Sequence, residues 1–270
     1  MPIAVDRYAS LDEAARAASA DRGARYLAGG TTLMRAVNDG DLSVTRLVRT
    51  TDPGLRSIRS AGATIEIGAG ATMADVLANR ELSVLHPVAR TIGGPAVRQA
   101  ATVGGNLFAE PPYGDFAGAL LALGASATPA GYGSVLPIEE LLAARAQGRA
   151  GGIVASIAVP RPAEGAFLYK KVTRVKPKGV SVMSIAALVP VSAGRVQGAR
   201  ISFNGMGPTP LRAKAAERAL EGQSLDASGV AAACAACLDG LDPQDDALAS
   251  AWWRREVAPV HLRRLLTGEG

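Results

Sequence analysis

Ile92-Gly-Gly-Pro-Ala-Val-Arg-Gln-Ala-Ala-Thr-Val-Gly-Gly-Asn-Leu107 carries two glycine pairs within a few turns of chain, and Tyr26-Leu-Ala-Gly-Gly-Thr-Thr-Leu-Met34 carries a third. In Ala28-Gly-Gly-Thr-Thr32 and Thr102-Val-Gly-Gly-Asn106 the glycines follow an apolar or small-residue run and adjoin small hydroxyl or amide side chains. Consecutive glycines reach left-handed and extended conformations closed to other residues, and they admit a ligand close to the backbone. Successive N–H groups then converge into an anion-binding concavity. Thr31, Thr32, Thr102 and Asn106 add donors for phosphate oxygens, and two such nests face to face suit a pyrophosphate better than a single phosphate. Glycine pairs also make ordinary turns. Residue physics alone therefore stops at a site for a phosphorylated ligand.

The standard nucleotide loops are missing. Gly68-Ala-Gly-Ala-Thr-Met73 lies between a strand-like and a helix-like segment, as a dinucleotide fingerprint would, but Met73 stands where a small residue must let helix and strand pack closely. No G-x-x-x-x-G-K-[ST] occurs.

Composition narrows the class further. The chain has 270 residues, 48% of them hydrophobic and 20% charged, enough for a real core and against wholesale disorder. Lys plus Arg is 29 and Asp plus Glu 24, a mild +5 without a basic run, and aromatics are 4%. A phosphate-tracking groove or base-stacking platform for nucleic acid is thus not expected. No apolar run reaches the ~18–20 residues of a membrane span, and the start of the chain lacks a signal-peptide pattern, so a cytoplasmic protein is expected. Cys234 and Cys237 form a C-x-x-C in an Ala-rich run, with His86 and His261 remote in sequence. Spacing of three puts both thiols on one helical face, where core packing competes with redox or zinc use.

Capping boxes at Ser10-Leu-Asp-Glu13 and Thr72-Met-Ala-Asp75 predict helices starting there. Strands are expected at Arg25–Ala28, Arg46–Arg49, Thr64–Ile67 and Ile153–Val159, with a helix at Pro87–Gly93 and a short apolar helix or buried run at Ala117–Leu123. After the linker-like Arg161-Pro-Ala-Glu-Gly165 the pattern becomes strand, strand, strand, helix: 166–172, 181–191, 199–203 and 212–220, with a hairpin turn at Ser192-Ala-Gly194. Two Ala/Leu-rich helices follow. The expected division is 1–163, in subdomains of about 1–56 and 57–163, and 164–270.

Taken together, the glycine segments resemble the FAD-binding medium subunit of the molybdenum hydroxylases, the flavoprotein component of the carbon monoxide dehydrogenase and xanthine dehydrogenase family. Tyr26–Met34 resembles the family's first FAD loop, Ile92–Leu107 its second, and Gly114-Asp115 with Ala119–Leu123 the continuation. Tyr169-Lys-Lys-Val-Thr-Arg174 and Gly207-Pro-Thr-Pro-Leu-Arg-Ala213 resemble its C-terminal domain. The resemblance implies an α+β protein: a vanillyl-alcohol-oxidase (PCMH)-type FAD-binding domain of two subdomains, plus a smaller α+β C-terminal domain with an antiparallel sheet. By position, Leu27, Ala28, Gly29, Gly30, Thr31, Thr32 and Leu33 would line the diphosphate. Gly93 and Gly94 would lie along the cofactor, and Ala101, Thr102, Gly104, Gly105 and Asn106 would form the second cradle. Asp115 would hydrogen-bond a sugar or polar edge of FAD, although an Asp opening a helix is common in itself. Lys170 matches a position near the isoalloxazine, where a cation stabilises the reduced, anionic ring; as half of a Lys-Lys pair it also reads as a solvated lysine.

Two departures stand out. Thr32 occupies a place where many relatives carry Asp, and no flavin-shielding aromatic is evident in Lys176-Pro-Lys-Gly-Val180. With two cysteines, this chain is not expected to hold an iron–sulfur cluster of its own.

The function implied is electron transfer through bound FAD. A molybdenum-cofactor large subunit would oxidise the substrate, a small subunit with two [2Fe–2S] clusters would relay electrons, and the assembly would be a dimer of heterotrimers. NAD, a quinone or oxygen would accept the electrons. No catalytic side chain or metal ligand is then required of this chain, in keeping with its lack of a His/Asp/Ser constellation. Two alternatives remain at this stage: a stand-alone PCMH-fold reductase using NAD(P)H, and a flavin-free subunit that binds partners.

Overall fold

A computed structural model describes residues 3–131, 134–149, 152–176 and 179–269. Two compact units result, Met1–Ala109 with Ser126–Val159, and Glu110–Ala125 with Pro160–Gly270. Pro177 and Lys178, in the segment where no shielding aromatic was evident, lie outside the described residues.

The chain opens with β1 (Ala4–Tyr8), α1 (Leu11–Ala20), β2 (Ala24–Tyr26), α2 (Leu33–Asn38) and β3 (Arg46–Thr50). Strand β3 lies between β1 and β2, parallel to both, in a three-stranded sheet. Helix α1 begins at the predicted capping box: the Glu13 amide donates to Ser10 Oγ and the Ser10 amide to the Glu13 carboxylate. Its Ala14 packs with Ala24 and Val48 in a small core of this sheet. The sequence reading places no strand before residue 24. Strand β1 escapes it because this edge strand is largely exposed and shows little apolar alternation.

Next come β4 (Ile58–Ala61), β5 (Thr64–Gly68), α3 (Met73–Ala78), α4 (His86–Arg90), α5 (Pro95–Ala100) and α6 (Val103–Phe108). After α7 (Asp115–Ala122), which groups with the second unit, the first unit resumes with β6 (Ser126–Pro129), β7 (Leu136–Pro137), α8 (Ile138–Ala146) and β8 (Val154–Pro160). These strands form a five-stranded sheet in the order β4-β5-β8-β6-β7. The Gly68-Ala-Gly70 run ends β5 against the chain at Gly54–Leu55. A Cβ on Gly68 would lie 2.9 Å from the Gly54 carbonyl oxygen, and one on Gly70 3.0 Å from that of Leu55. The amides of residues 68 to 71 donate to Ser57, Ala155, Leu55 and Gly68, so this G-x-G is a packing device with no donors left for a phosphate.

The second unit is built on β9 (Phe167–Val172), β10 (Met183–Leu188), β11 (Val191–Ser192), β12 (Arg195–Val196), β13 (Arg200–Asn204) and β14 (Leu211–Arg212). Helices α9 (Lys214–Leu220), α10 (Ala231–Ala235) and α11 (Ala251–Thr267) complete it. Strands β14-β13-β10-β9 form the expected antiparallel sheet, and the small β11–β12 hairpin turns at Ala193 and Gly194, both with positive φ. One face of the sheet buries Met183, Ile185, Ala187, Ile201 and Phe203 with residues of α9, α10 and α11. Cys234 and Cys237 belong to this core. Burial, then Cys234, pushes the Cys237 thiol up to about 12, so it stays protonated and inert at neutral pH.

The opposite face takes α7. Ser202 Oγ donates to the Gly118 carbonyl at 2.6 Å, and Arg200 donates to the carbonyls of Ala122 and Leu121. Among the described residues no helix is long and apolar enough to cross a membrane.

Candidate functional site

In the first unit the glycine segments come together. Leu27 is the last residue tied to the parallel sheet, its amide donating to the Val48 carbonyl at 2.7 Å. From there the chain leaves the sheet as an open loop and enters α2 at Leu33. Among the described residues, no acceptor takes a hydrogen bond from the amides of Ala28, Gly29, Gly30, Thr31, Thr32 or Leu33. Ala28, Thr31 and Thr32 are exposed, and Gly30 has φ +71, a left-handed step that redirects successive N–H groups. Residues 28–33 thus form an open loop whose amides are uncommitted among the described residues. Next to it the Tyr26 phenol is pushed up to about 12, chiefly by burial and then by the Asp52 carboxylate, with Arg49 opposing.

Gly29 lies hard against the approach to the second segment. A Cβ there would overlap the Ala100 carbonyl oxygen, 2.7 Å from the carbonyl carbon and 3.4 Å from Ala101 Cα. Residues 29 and 100–101 are thus backbone-to-backbone neighbours. Gly93 and Gly94 form the turn into α5, Gly93 at φ +51, and their amides likewise find no acceptor among the described residues.

The second segment behaves differently from the sequence expectation. It is the helix α6, capped by Thr102, rather than an open loop. The amides of Val103 and Gly104 donate to the carbonyls of Ala71 and Ala69, each at 2.8 Å, and that of Gly105 to Thr102 Oγ1 at 3.0 Å. Asn106 directs both its amide and its side-chain Nδ2 to the Thr102 carbonyl. Ala101 accepts from the Met73 amide, and Thr72 bridges Thr102, so two capped helices start back to back. Here the glycines serve close packing: a Cβ on Gly104 would lie 2.8 Å from Ala69 Cβ and 3.0 Å from its carbonyl oxygen. Thr102 Oγ1 accepts from the Gly105 amide and still has its hydroxyl proton to donate. Gly104→Ala is expected to destabilise the chain by about 1–3 kcal/mol through overpacking, read as a lower thermal midpoint.

In the second unit Asp115 opens α7 and is 4% exposed. Its Oδ1 accepts from Ser184 Oγ at 2.7 Å and from Asn204 Nδ2 at 3.0 Å, and its Oδ2 pairs with Lys171 Nζ at 3.1 Å. Alternation along β9 sends its two lysines to opposite faces. Lys171 pairs in register with Ser184 and faces α7, whereas Lys170 pairs with Ile185 on the α11 side. There His261 has its pKa lowered by burial first and then by Lys170 and Arg264. Sequence reading missed Lys171, Ser184 and Asn204. Strand period could have paired Lys171 with a face, but nothing local marks which face receives α7. Among the described residues no cluster of His, Cys, Asp or Glu could hold a metal ion.

The pattern of the FAD binding domain in molybdopterin dehydrogenase matches residues 2–162. The chain belongs to that family. The CO dehydrogenase flavoprotein C-terminal domain matches residues 167–268. The family's solved structures include carbon monoxide dehydrogenase from Hydrogenophaga pseudoflava, which superposes with a TM-score of 0.89 at 25% identity, covering 98% of this chain and 96% of the other. The medium chain of Sulfolobus acidocaldarius glyceraldehyde dehydrogenase is 26% identical across 94% of this chain and 93% of its own length. The carbon monoxide dehydrogenase medium chain of Afipia carboxidovorans is 29% identical across 89% and 87%. This flavoprotein-family chain therefore has dehydrogenase subunits as relatives and carries an FAD-binding domain, with the mixed fold and antiparallel C-terminal sheet that the resemblance implied.

Proposed function

We propose that the chain is the FAD-binding electron-transfer subunit of a molybdenum-containing hydroxylase, taking electrons from a [2Fe–2S] subunit and passing them to an external acceptor. The observation that carries this reading is the run of amides from Ala28 to Leu33 that find no acceptor among the described residues, beside the backbone of Ala100–Ala101. Donors in that number on an exposed loop suit the oxygens of a diphosphate. Bound FAD accepts electrons singly and delivers them in pairs, which is what a relay between iron–sulfur clusters and a two-electron acceptor requires.

The chain's own work is binding and tuning. The amides of residues 28–33 and the hydroxyls of Thr31, Thr32 and Thr102 donate to the diphosphate. Asp115, held by Ser184, Asn204 and Lys171, is assigned as an acceptor for a cofactor hydroxyl. Partner subunits hold the clusters and the molybdenum cofactor, in a dimer of heterotrimers.

The test is direct. Protein produced with FAD should be yellow, absorbing near 370 and 450 nm, with about one flavin per chain. Co-expression with the partner subunits should yield a complex in which substrate reduces that flavin. A folded chain that takes up no FAD overturns the reading. NAD(P)H-dependent turnover by the isolated chain would replace it with a stand-alone reductase.

A further inference from the structure

Arg98 lies on α5, one turn beyond the Gly93–Gly94 pair, and its guanidinium folds back onto that turn. Nη1 donates to the Gly93 carbonyl at 2.7 Å and reaches those of Ile92 and Arg90 at 3.4 and 3.3 Å. The Arg98 amide donates to the Gly94 carbonyl at 3.0 Å. One residue thus gathers the carbonyls of the whole turn.

The consequence follows from peptide geometry. A trans peptide is planar, with its C=O and N–H pointing in opposite directions. The Ile92 carbonyl shares its plane with the Gly93 amide, and the Gly93 carbonyl shares its plane with the Gly94 amide. Holding those two carbonyls on the Arg98 side therefore aims the two amides the other way. They are the amides that find no acceptor among the described residues. A cation at the carbonyl end also polarises each peptide and makes its N–H a stronger donor. Val97 packs over the same turn, since a Cβ on Gly93 would lie 2.6 Å from Val97 Cγ1.

We propose that Arg98 is a positioning residue for the cofactor: it fixes the 92–94 turn so that the Gly93 and Gly94 amides donate to an acceptor atom of FAD, without touching FAD itself. This rests on the FAD reading above.

Arg98→Met and Arg98→Lys in the full chain, stripped of flavin, test it by FAD titration followed through flavin fluorescence. The Met variant should bind FAD about tenfold to a hundredfold more weakly, the loss of one or two well-aimed hydrogen bonds. Lysine, which still places a charged donor against the Gly93 carbonyl, should restore affinity to within about threefold of wild type. The flavin-free melting temperature should stay the same in all three proteins. ADP and riboflavin titrated separately locate the acceptor, because only the half that meets these amides loses affinity. Wild-type affinity in Arg98→Met overturns the proposal. So does a weakening that follows a lower flavin-free melting temperature and is not rescued by lysine, which marks a structural role. If the wild-type chain itself takes up no FAD, the underlying reading fails before any variant is compared, and the proposal falls with it.

Discussion

Gly29→Ala should leave the chain folded and unable to retain FAD. The added Cβ would overlap the Ala100 carbonyl oxygen, so one of two backbone segments has to move. Ala100–Ala101 is the segment that stays. The Ala101 amide is bound to the Val97 carbonyl at 2.7 Å and its own carbonyl accepts from Met73 at 2.8 Å. The first loop has no comparable restraint, since the amides from Ala28 to Leu33 have no acceptor among the described residues. Displacement therefore falls on the donors assigned to the diphosphate. A strain of about 1–3 kcal/mol, incurred when the loop returns to its binding geometry, corresponds to weakening of about fivefold to a hundredfold or more. Misaiming several donors together adds to that. Gly152→Ala, with nothing among the described residues within 4 Å of the new methyl, is the matched control and should bind FAD normally. The check is flavin content after gel filtration with the dissociation constant from titration, and full flavin content in Gly29→Ala would remove the first loop from the site.

The contrast between the two glycine segments shows what could be read from residues and what could not. Local rules located Ser10 and Thr72 as caps because a capping box closes on itself within four residues. They also placed the first glycine segment in an open loop, where Gly30 does take positive φ. The same rules misread Val103–Phe108. Its consecutive glycines, next to a threonine and an asparagine, read as a second anion-binding nest. What makes it a helix is its capping by Thr102 and its packing against Ala69, thirty-odd positions away, neither of which propensity contains. Its amides are then used up inside the protein. Asp115 was legible as a candidate from the family pattern, yet its partners come from strands 56 to 89 residues further on, by hydrogen-bond separations of 69 and 89 and the Lys171 pair. Lys170 and Lys171 are indistinguishable in sequence and differ in role only because β9 has two faces. Arg98 is the opposite case. Its contacts span only five to eight residues, but an arginine folding back on preceding carbonyls has no sequence signature.

Arg254→Met should give the largest loss of stability in the second unit. Arg254 lies on α11 with its side chain 2% exposed, among the core residues. Nε donates to the Val182 carbonyl at 3.1 Å, and Nη1 donates to those of Gln244 and Ala249 at 2.7 and 2.9 Å. Nη2 pairs with Asp246 at 2.6 Å. One guanidinium thus ties the end of the segment leading into β10, and the loop before α11, to a single helix. Methionine preserves much of the volume but leaves three carbonyls without their donor, at about 1–3 kcal/mol for each that stays dry. Asp246 is 41% exposed, so its ion pair adds only ~0–1 kcal/mol. A net loss of about 3–5 kcal/mol is expected, or roughly 6–20 °C in melting temperature. The dependence on pH separates the two contributions. Burial raises the Asp246 carboxyl, but the amides of Ala249 and Leu248 together with Arg254 outweigh it, and its pKa lies below the ordinary value. A carboxylate depressed in the folded state stabilises above its unfolded pKa of about 3.9, and that stabilisation disappears as pH falls through the folded value. The gap between wild type and variant should therefore narrow slightly below pH ~4 while most of it persists, because the carbonyl bonds do not titrate. Thermal melts at pH 7 and pH 3.5 read both quantities, and a variant melting within a degree of wild type at pH 7 would show that water or a rearranged loop satisfies those carbonyls as well as arginine does.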